Sequence, residues 1–264
     1  MKYSMMTYTV MRQKVYTPAD CVEIAVRLGM EGIDWVTTYG EDPELLRKMS
    51  TDAGLAVAAH TFFIRSREKA EVKSIAEKSL DDAAVLGAPL VMIPPLPFAG
   101  VTGPDENRRL WCEVLAEVSP LAAERRLTLT IENFPGAASA FVTAADFYEA
   151  KRAVPSLKLT FDDGNAATGE DPAESLRACM KDVVHVHFKD WVFSRTPGGM
   201  LMRNGLYGTP ALVGEGDVPT RAVQKELADS GYDGFVNIEY ENNAYRAEEA
   251  IRRALDYLKT PDAA

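Results

Sequence analysis

The segment LTLTIENFPGAASAFVTAADFYEAKRAVPSLKLTFDD, residues 127–163, contains a complete strand–helix–strand unit. Its first and last parts are rich in apolar and β-branched residues, as buried strands are. Between them, Thr143 and Asp146 have the spacing of a capping box, with aspartate in place of the usual glutamate, which predicts a helix that begins there. A strand, a helix and a second strand in this order indicate an α/β architecture.

The same alternation continues along all 264 residues. Helical patterns separate the apolar runs, and one of them begins with Thr17 as N-cap and Pro18 at the first helical position. The first run is not followed by the glycine-rich turn of a doubly wound sheet. Eight strands about 30 residues apart therefore predict a (β/α)8 TIM barrel that forms a single domain over residues 1–264. The predicted strands are 2–10, 31–36, 56–63, 89–95, 127–134, 157–163, 183–191 and 234–241.

Composition excludes several classes of function. The formal net charge is −10, and an acidic surface lacks the basic footprint that nucleic acid or anionic lipid requires. The three cysteines, Cys21, Cys112 and Cys179, have no CxxC spacing, so neither a disulfide framework nor a zinc knuckle is indicated. We find neither a signal-peptide pattern nor a membrane-spanning run, and we expect a cytoplasmic protein.

Ionisable residues mark the C-terminal ends of several predicted strands, where TIM barrels carry their chemistry. A buried carboxylate is costly alone, but several converging on one axis suit a divalent cation. Carboxylates with one imidazole fit Mn²⁺, Mg²⁺, Co²⁺ or Zn²⁺, and Mn²⁺ is our first choice. The strand-end residues are His60, Glu132, Asp162 or Asp163, His187 and Glu239.

Five segments, in order, resemble the xylose isomerase-like TIM-barrel superfamily, which includes sugar isomerases, ketose epimerases, inosose dehydratases and type 2 apurinic endonucleases. The resemblance covers strands 5 to 8 well and the first half only by general layout. It implies that Glu132, Asp162, His187 and Glu239 bind the metal, with Asp163 as the register alternative to Asp162. It also implies that Glu132 and Glu239 act as an acid–base pair. The segments are LTIENFP, LTFDDGNA, VVHVHFKDW, VGEGDVP and VNIEYE.

Two departures from the family pattern affect the expected function. Asn165 stands where a histidine is common, and asparagine can bind a substrate hydroxyl but cannot shuttle a proton. With three histidines in total, the multi-zinc endonuclease branch is disfavoured. Residues 192–217 form a long segment after strand 7, and we leave open whether it is a lid, a solvated insertion or an oligomer contact. If it is a lid, Arg195 or Arg203 would hold the substrate.

The remaining candidates each have two interpretations. His60 faces the substrate or is a core histidine, and Lys189 polarises a carbonyl or forms a buried ion pair. Trp35 and Trp191 are sugar platforms or packing residues. In the HVH motif, His187 is the expected ligand. His185 shares its face at a deeper level and is a core residue or a support.

The resemblance therefore implies a metal-dependent sugar or polyol isomerase or epimerase that works through an enediolate. The alternative is a lyase or dehydratase acting on a keto-sugar, a keto-inositol or an oxidised glycoside. A non-catalytic sugar-binding barrel is a third interpretation. The expected partner is a small carbohydrate, and a homo-oligomer is left open.

Overall fold

The computed structural model describes residues 1–260, and eight parallel strands close into a barrel at its centre. β1 pairs with β2 on one side and with the last strand, β11, on the other. The (β/α)8 prediction is therefore confirmed. The barrel strands are β1 (Lys2–Met6), β2 (Gly32–Val36), β3 (Ala56–Thr61), β4 (Leu90–Ile93), β5 (Thr128–Glu132), β6 (Lys158–Asp162), β7 (Val183–Phe188) and β11 (Phe235–Ile238).

Helices surround the barrel, and the sequence signals that begin two of them are present. Thr17 and Thr143 each cap a helix through a reciprocal capping box with the aspartate three residues later. The helices are α1 (Thr7–Met11), α2 (Pro18–Arg27), α3 (Pro43–Asp52), α4 (Lys69–Leu86), α5 (Pro104–Glu124), α6 (Ala144–Ala153), α7 (Asp163–Ala166), α8 (Pro172–Cys179), α9 (Thr220–Asp229) and α10 (Ala247–Lys259), with a 3₁₀ turn at Met180–Asp182.

The first strand is shorter than predicted, because residues 7–11 turn into α1. Two threonine side chains tie this helix to the ends of neighbouring strands. Thr7 donates to the carbonyl of Asp34 at 2.9 Å, and Thr9 donates to the carbonyl of Ile238 at 3.1 Å. These side-chain hydrogen bonds hold residues 7–11 against the barrel, where a longer β1 would instead make backbone hydrogen bonds to the neighbouring strands.

The two faces of the barrel strands have different chemistry. In β5, Ile131 packs in the apolar core shared with the helices, while Thr130 and Glu132 point to the axis. Each fully buried aliphatic side chain of that outer layer contributes about 1.5–3 kcal/mol. Part of the axial layer is polar, since the hydroxyls of Thr130 and Thr160 lie 2.8 Å apart. The barrel interior therefore places polar groups beneath the charged side chains at its C-terminal mouth.

The long segment after β7 forms a second, antiparallel sheet in the order β8 (Asp190–Ser194), β10 (Tyr207–Ala211), β9 (Met200–Leu201). The carbonyl of Leu201 accepts from the backbone of Ala137 at 2.9 Å, which joins this sheet to the segment that follows β5. Over residues 1–260, no helix combines the length and the apolar character that a bilayer crossing requires.

Candidate metal centre

Four buried side chains meet at the C-terminal mouth of the barrel: Glu132, Asp162, His187 and Glu239. One nitrogen or oxygen atom of each lies within 4.8 Å of those of the others. The first three end or nearly end β5, β6 and β7, and Glu239 directly follows β11. The strand alternation brings them to one axis because each is an inward-facing position.

His187 lies between the two glutamates. Its Nδ1 atom is 2.8 Å from Oε1 of Glu132 and 3.6 Å from Oε2 of Glu239. Burial alone would lower the pKa of His187, but its contacts with Asp34, Glu132 and Glu239 raise it well above the usual value. The strongly negative surroundings therefore stabilise positive charge at this point.

Asp162 has one oxygen that the protein leaves without a partner. Its Oδ1 accepts from the backbone N–H of Asn165 at 2.6 Å, whereas Oδ2 is buried with no hydrogen-bond partner within residues 1–260. Burial, reinforced by the charge of Glu239, raises the pKa of Asp162 well above its ordinary range. Burial likewise raises the pKa of Glu132. Crowded carboxylates with an unsatisfied oxygen fit a divalent cation, whose charge would offset their desolvation.

Asp163, the register alternative, has a different position. Its Oδ1 accepts from the backbone N–H of Lys189 at 2.9 Å, and burial raises its pKa to about 7. It does not belong to the group of four. The structure therefore selects Asp162 as the member of the cluster.

Lys189 forms a buried bridge beside the cluster. Its Nζ atom lies 3.0 Å from Oε1 of Glu239 and 2.7 Å from Oε2 of Glu241. Burial alone would raise the pKa of Glu239, but the charge of Lys189 and the contact with His187 hold it at about 2. Of the two interpretations of Lys189, the structure displays the buried ion pair, which fixes the Glu239 carboxylate as an anion.

Beneath the cluster lies a second group of polar side chains, which sequence reasoning largely missed. Asp34, fully buried, brings Oδ2 within 2.7 Å of Asn237 Nδ2 and 3.2 Å of His185 Nε2. The signal was present in the sequence, since an aspartate in the apolar strand GIDWV must find polar partners. His185 occupies the deeper level expected of it and contacts this carboxylate.

Asn165 lies in the turn after β6. Its Nδ2 donates to the carbonyl of Asn133 at 3.1 Å, while its Oδ1 is buried without a partner in the described part of the chain. Asn133 in turn makes two hydrogen bonds with the backbone of Asp162, at 2.7 and 2.9 Å. These asparagines hold the β6 turn in place, and the role of Asn165 toward a substrate stays a prediction.

His60 and Trp35 face away from the barrel axis, as the core-histidine and packing interpretations of these residues require, and their contact with a substrate stays a prediction. Nδ1 of His60 lies 2.9 Å from the carbonyl of Trp35, and Nε1 of Trp35 donates to Ser50 of α3 at 3.1 Å. Their neighbours Asp34 and Thr61 point inward instead. A position at the end of a strand is therefore not sufficient to place a side chain at the barrel axis, because every second residue of a strand points toward the helices.

Trp191 lies in β8 of the small sheet. Arg195 lies between β8 and β9, and Arg203 follows β9. Arg203 donates to the carbonyl of Ser139 and lies 3.6 Å from Asp146, while Arg195 is exposed. The ring of Trp191 is buried in a cluster with Met202 and Val218. In this conformation none of the three lines the cavity at the cluster, and their contact with a substrate stays a prediction.

A cavity of about 200 Å³ opens over two carboxylates of the cluster. Glu132 and Glu239 both line it, as does Glu241, the second partner of Lys189. Sequence reasoning did not find Tyr8 and Arg65, which lie in a turn of helix and a loop rather than at strand ends. The rest of its wall is Met6, Val36, Thr61, Phe63, Met92, Pro94, Leu96 and Phe134. The mixed lining, apolar walls with a few polar groups, is typical of a small-molecule site.

Comparison with known proteins gives two kinds of relatives, named enzymes and uncharacterised proteins. Inosose dehydratase of Erwinia tasmaniensis is 27% identical over 262 residues, covering 88% of this chain and 85% of that protein. An uncharacterised protein of Methanocaldococcus jannaschii is 27% identical over 152 residues. That alignment covers 54% of this chain, which thereby spans about half (48%) of the archaeal protein.

Solved structures share the fold at low sequence identity. IolI, solved with a zinc atom, has a TM-score of 0.80 at 19% identity, covering 97% of this chain and 96% of its own. The probable 3-DHS dehydratase AsbF of Bacillus anthracis has 0.77 at 20%, covering 99% and 100%. D-psicose 3-epimerase of Clostridium cellulolyticum H10 has 0.74 at 15%, covering 98% of each.

The family model described as xylose isomerase-like TIM barrel matches residues 22–260, nearly the whole chain. Together with the closed eight-stranded barrel, this match shows that the chain belongs to the xylose isomerase-like TIM barrel family.

Proposed function

We propose that this protein is a divalent-metal-dependent isomerase or epimerase of a small sugar or keto-polyol. The observation that carries the proposal is the cluster Glu132, Asp162, His187 and Glu239 at the barrel mouth, with both glutamates lining the same cavity. We propose Mn²⁺ as the preferred ion and the cytoplasm as the location.

All four residues of the cluster would hold the metal. The unsatisfied oxygen of Asp162 and the crowding of three carboxylates around His187 support this assignment. A bound divalent cation supplies Lewis-acid polarisation of a carbonyl oxygen, which makes the adjacent C–H bond more acidic. Oxygen ligands with one imidazole suit Mn²⁺ or Mg²⁺, and the same set accepts Zn²⁺ or Co²⁺.

The two glutamates would transfer the proton. One carboxylate removes the proton from the carbon next to the carbonyl, and the electron pair of that C–H bond passes to the carbonyl oxygen, giving an enediolate. The other carboxylate returns a proton to the opposite face, which is epimerisation, or to the neighbouring carbon, which is isomerisation. Acid–base assistance of this kind contributes about 10²–10⁴ in rate.

Lys189 would keep Glu239 in the state that accepts a proton. Because Nζ lies 3.0 Å from its Oε1, the ammonium favours the carboxylate form. Glu132 has no lysine or arginine within hydrogen-bond distance among the described residues, and its hydrogen-bond partner is His187. The two glutamates are thus unequal, as a proton donor and a proton acceptor should be.

Dehydration is the second candidate, favoured by a specific observation. Inosose dehydratases align with 88–92% of this chain at 23–27% identity. The first step is the same proton removal. The electron pair then forms a C=C bond, and a β-hydroxyl leaves with a proton as water. Asn165, where a proton-shuttling histidine is common in the family, agrees with altered proton handling.

One experiment separates these reactions. Purified protein with Mn²⁺ is incubated in D₂O with a panel of ketoses and inososes, and the recovered compounds are analysed by mass spectrometry. Deuterium at the carbon beside the carbonyl, without loss of water, supports isomerisation or epimerisation. A product lighter by one water supports dehydration, and unchanged compounds across the panel support the non-catalytic barrel.

A further inference from the structure

Asp34 lies directly beneath the metal cluster, on β2, and is fully buried. Its Oδ2 atom is the point on which three side chains converge: Asn237 Nδ2 at 2.7 Å, His185 Nε2 at 3.2 Å and His187 Nε2 at 3.9 Å. An uncompensated carboxylate this deep would be strongly destabilising. Groups that can donate therefore surround Oδ2, whereas Oδ1 is buried without a hydrogen-bond partner among the described residues.

His187 connects this layer with the metal cluster above. Its Nδ1 atom faces Glu132 and Glu239, whereas Nε2 faces Asp34 and Asn237. A nitrogen that binds a cation must have its lone pair free. The neutral ring carries one proton, so when Nδ1 is the ligand the proton is on Nε2. The residue below then has to accept it.

Two groups are near Nε2 of His187, and only one is an acceptor. The Nδ2 atom of Asn237 is 3.2 Å away, but an amide N–H₂ group only donates. Reversing this amide would press its oxygen against the Asp34 carboxylate and would remove the acceptor to which Ser4 donates. Asp34 is thus the anionic acceptor nearest to Nε2 among the described residues. Its Oδ2 lies 3.9 Å away, beyond hydrogen-bond distance, so the bond would form only when a metal replaces the contact between Nδ1 and Glu132 and the ring moves toward Asp34.

We propose that Asp34 is a positioning residue that holds the proton of His187 on Nε2 and so leaves Nδ1 free for the metal. Asn237 fixes the Asp34 carboxylate through its 2.7 Å hydrogen bond. Partners of this kind orient a histidine ligand and typically change metal affinity 10–100-fold. The inference rests on the proposed function, because it assumes that the cluster binds a cation.

Calorimetric titration of the metal-free protein with Mn²⁺ and with Zn²⁺ tests this role without measuring turnover. We expect Asp34→Asn to bind about 10–100-fold more weakly than the wild type. Asp182→Asn is the matched control: Asp182 is a buried carboxylate immediately before β7, 3.0 Å from Lys151 and 2.9 Å from Lys158, and its replacement should leave metal affinity unchanged. Equal affinity of Asp34→Asn and wild type would overturn the inference.

A second measurement needs no variant and decides the matter if Asp34→Asn does not fold. The chain has three histidines, so ¹⁵N-imidazole NMR of the Zn²⁺-loaded protein resolves each ring, with His60 as an internal reference. We expect the ring proton of His187 on Nε2 and the metal on Nδ1. The opposite arrangement refutes the role of Asp34. A wild type that binds neither cation contradicts the proposed function itself, so the two failures are distinct.

Discussion

Nδ1 of His187 and Oε1 of Glu132 lie 2.8 Å apart, although their strands, β7 and β5, are separated by β6. This contact exists only because the closed barrel turns both side chains to one axis. It joins residues 55 positions apart in the sequence, and it brings the expected ligand histidine onto one of the two proposed acid–base residues.

Replacing either glutamate of the proposed pair by glutamine should reduce turnover with little change of shape. We expect kcat to fall about 10²–10⁴-fold in Glu132→Gln and in Glu239→Gln, because an amide cannot transfer the proton. Steady-state kinetics on the substrate found in the panel measures this. Glu215→Gln is the control, since Glu215 is exposed and bonds to Tyr245. Undiminished turnover in both cluster variants would refute the mechanism.

Lys189→Met should destabilise the metal-free protein by about 3–5 kcal/mol near pH 7, because two carboxylates would lose their buried cation. The pKa of Glu239, held at about 2, is below its ordinary value, so this stabilisation is present above about pH 4.5. It is lost as the pH falls toward 2, and the gap between wild type and variant should narrow there.

Urea unfolding at several pH values measures the effect of Lys189→Met. Lys48→Met is the matched control, since Lys48 pairs with Asp52 on an exposed helix surface. Such a pair is expected to contribute only about 0.3–0.5 kcal/mol. Equal losses in the two variants would mean that the buried bridge does not stabilise the mouth of the barrel.

Asp190 anchors the segment that follows the small sheet. Its two oxygens accept from four backbone N–H groups, those of Trp191, Gly214, Gly216 and Val218, at 2.8–3.0 Å. Asp190→Asn would leave some of these donors unsatisfied, at a cost of about 2–4 kcal/mol in the free energy of unfolding.

Hydrogen exchange tests this role of Asp190 locally. We expect faster exchange of the amides of residues 214–218 in Asp190→Asn. Asp217→Asn serves as control, because exposed Asp217 accepts a single bond, from Phe193 at 2.7 Å, that an amide oxygen can also accept. If residues 214–218 exchange equally in both variants, Asp190 is not the anchor.

Metal binding should stabilise the folded protein, since the unfolded chain lacks the cluster. At a free ion concentration of 100 times Kd the gain is about 2.7 kcal/mol, which raises Tm by roughly 5–10 °C for a chain of this size. Differential scanning fluorimetry with Mn²⁺ and then excess EDTA measures the shift and its reversal. Asp162→Asn should show a much smaller shift, and an equal shift would place the ion elsewhere.

The barrel was predictable because its signals are local. Capping residues such as Thr17 and Thr143 and the apolar runs specify each element, and eight such units leave few topologies. The end of β1 was not predictable, because it depends on the hydrogen bonds that the hydroxyls of Thr7 and Thr9 donate to other strands. The small sheet of residues 190–211 was missed because β9 has only two residues and glycines interrupt the segment, so no continuous strand pattern marks it.

The candidate cluster was predictable in part for the same reason. The positions of Glu132 and His187 follow from the resemblance, but the facing direction of His60 and Trp35 depends on strand parity at the barrel mouth. The register between β2 and β3 shifts at Ile33 and Asp34, so a count of residues to a strand end does not decide which of them faces the axis. Asp34 needed the three-dimensional structure to be recognised beneath His187.

Calorimetric titration of the metal-free wild type with Mn²⁺, repeated on Asp162→Asn, is the most direct test of whether the four side chains at the barrel mouth bind a cation. We expect one ion per chain in the wild type and binding at least tenfold weaker in the variant. No binding by the wild type, or equal binding by both proteins, would contradict it.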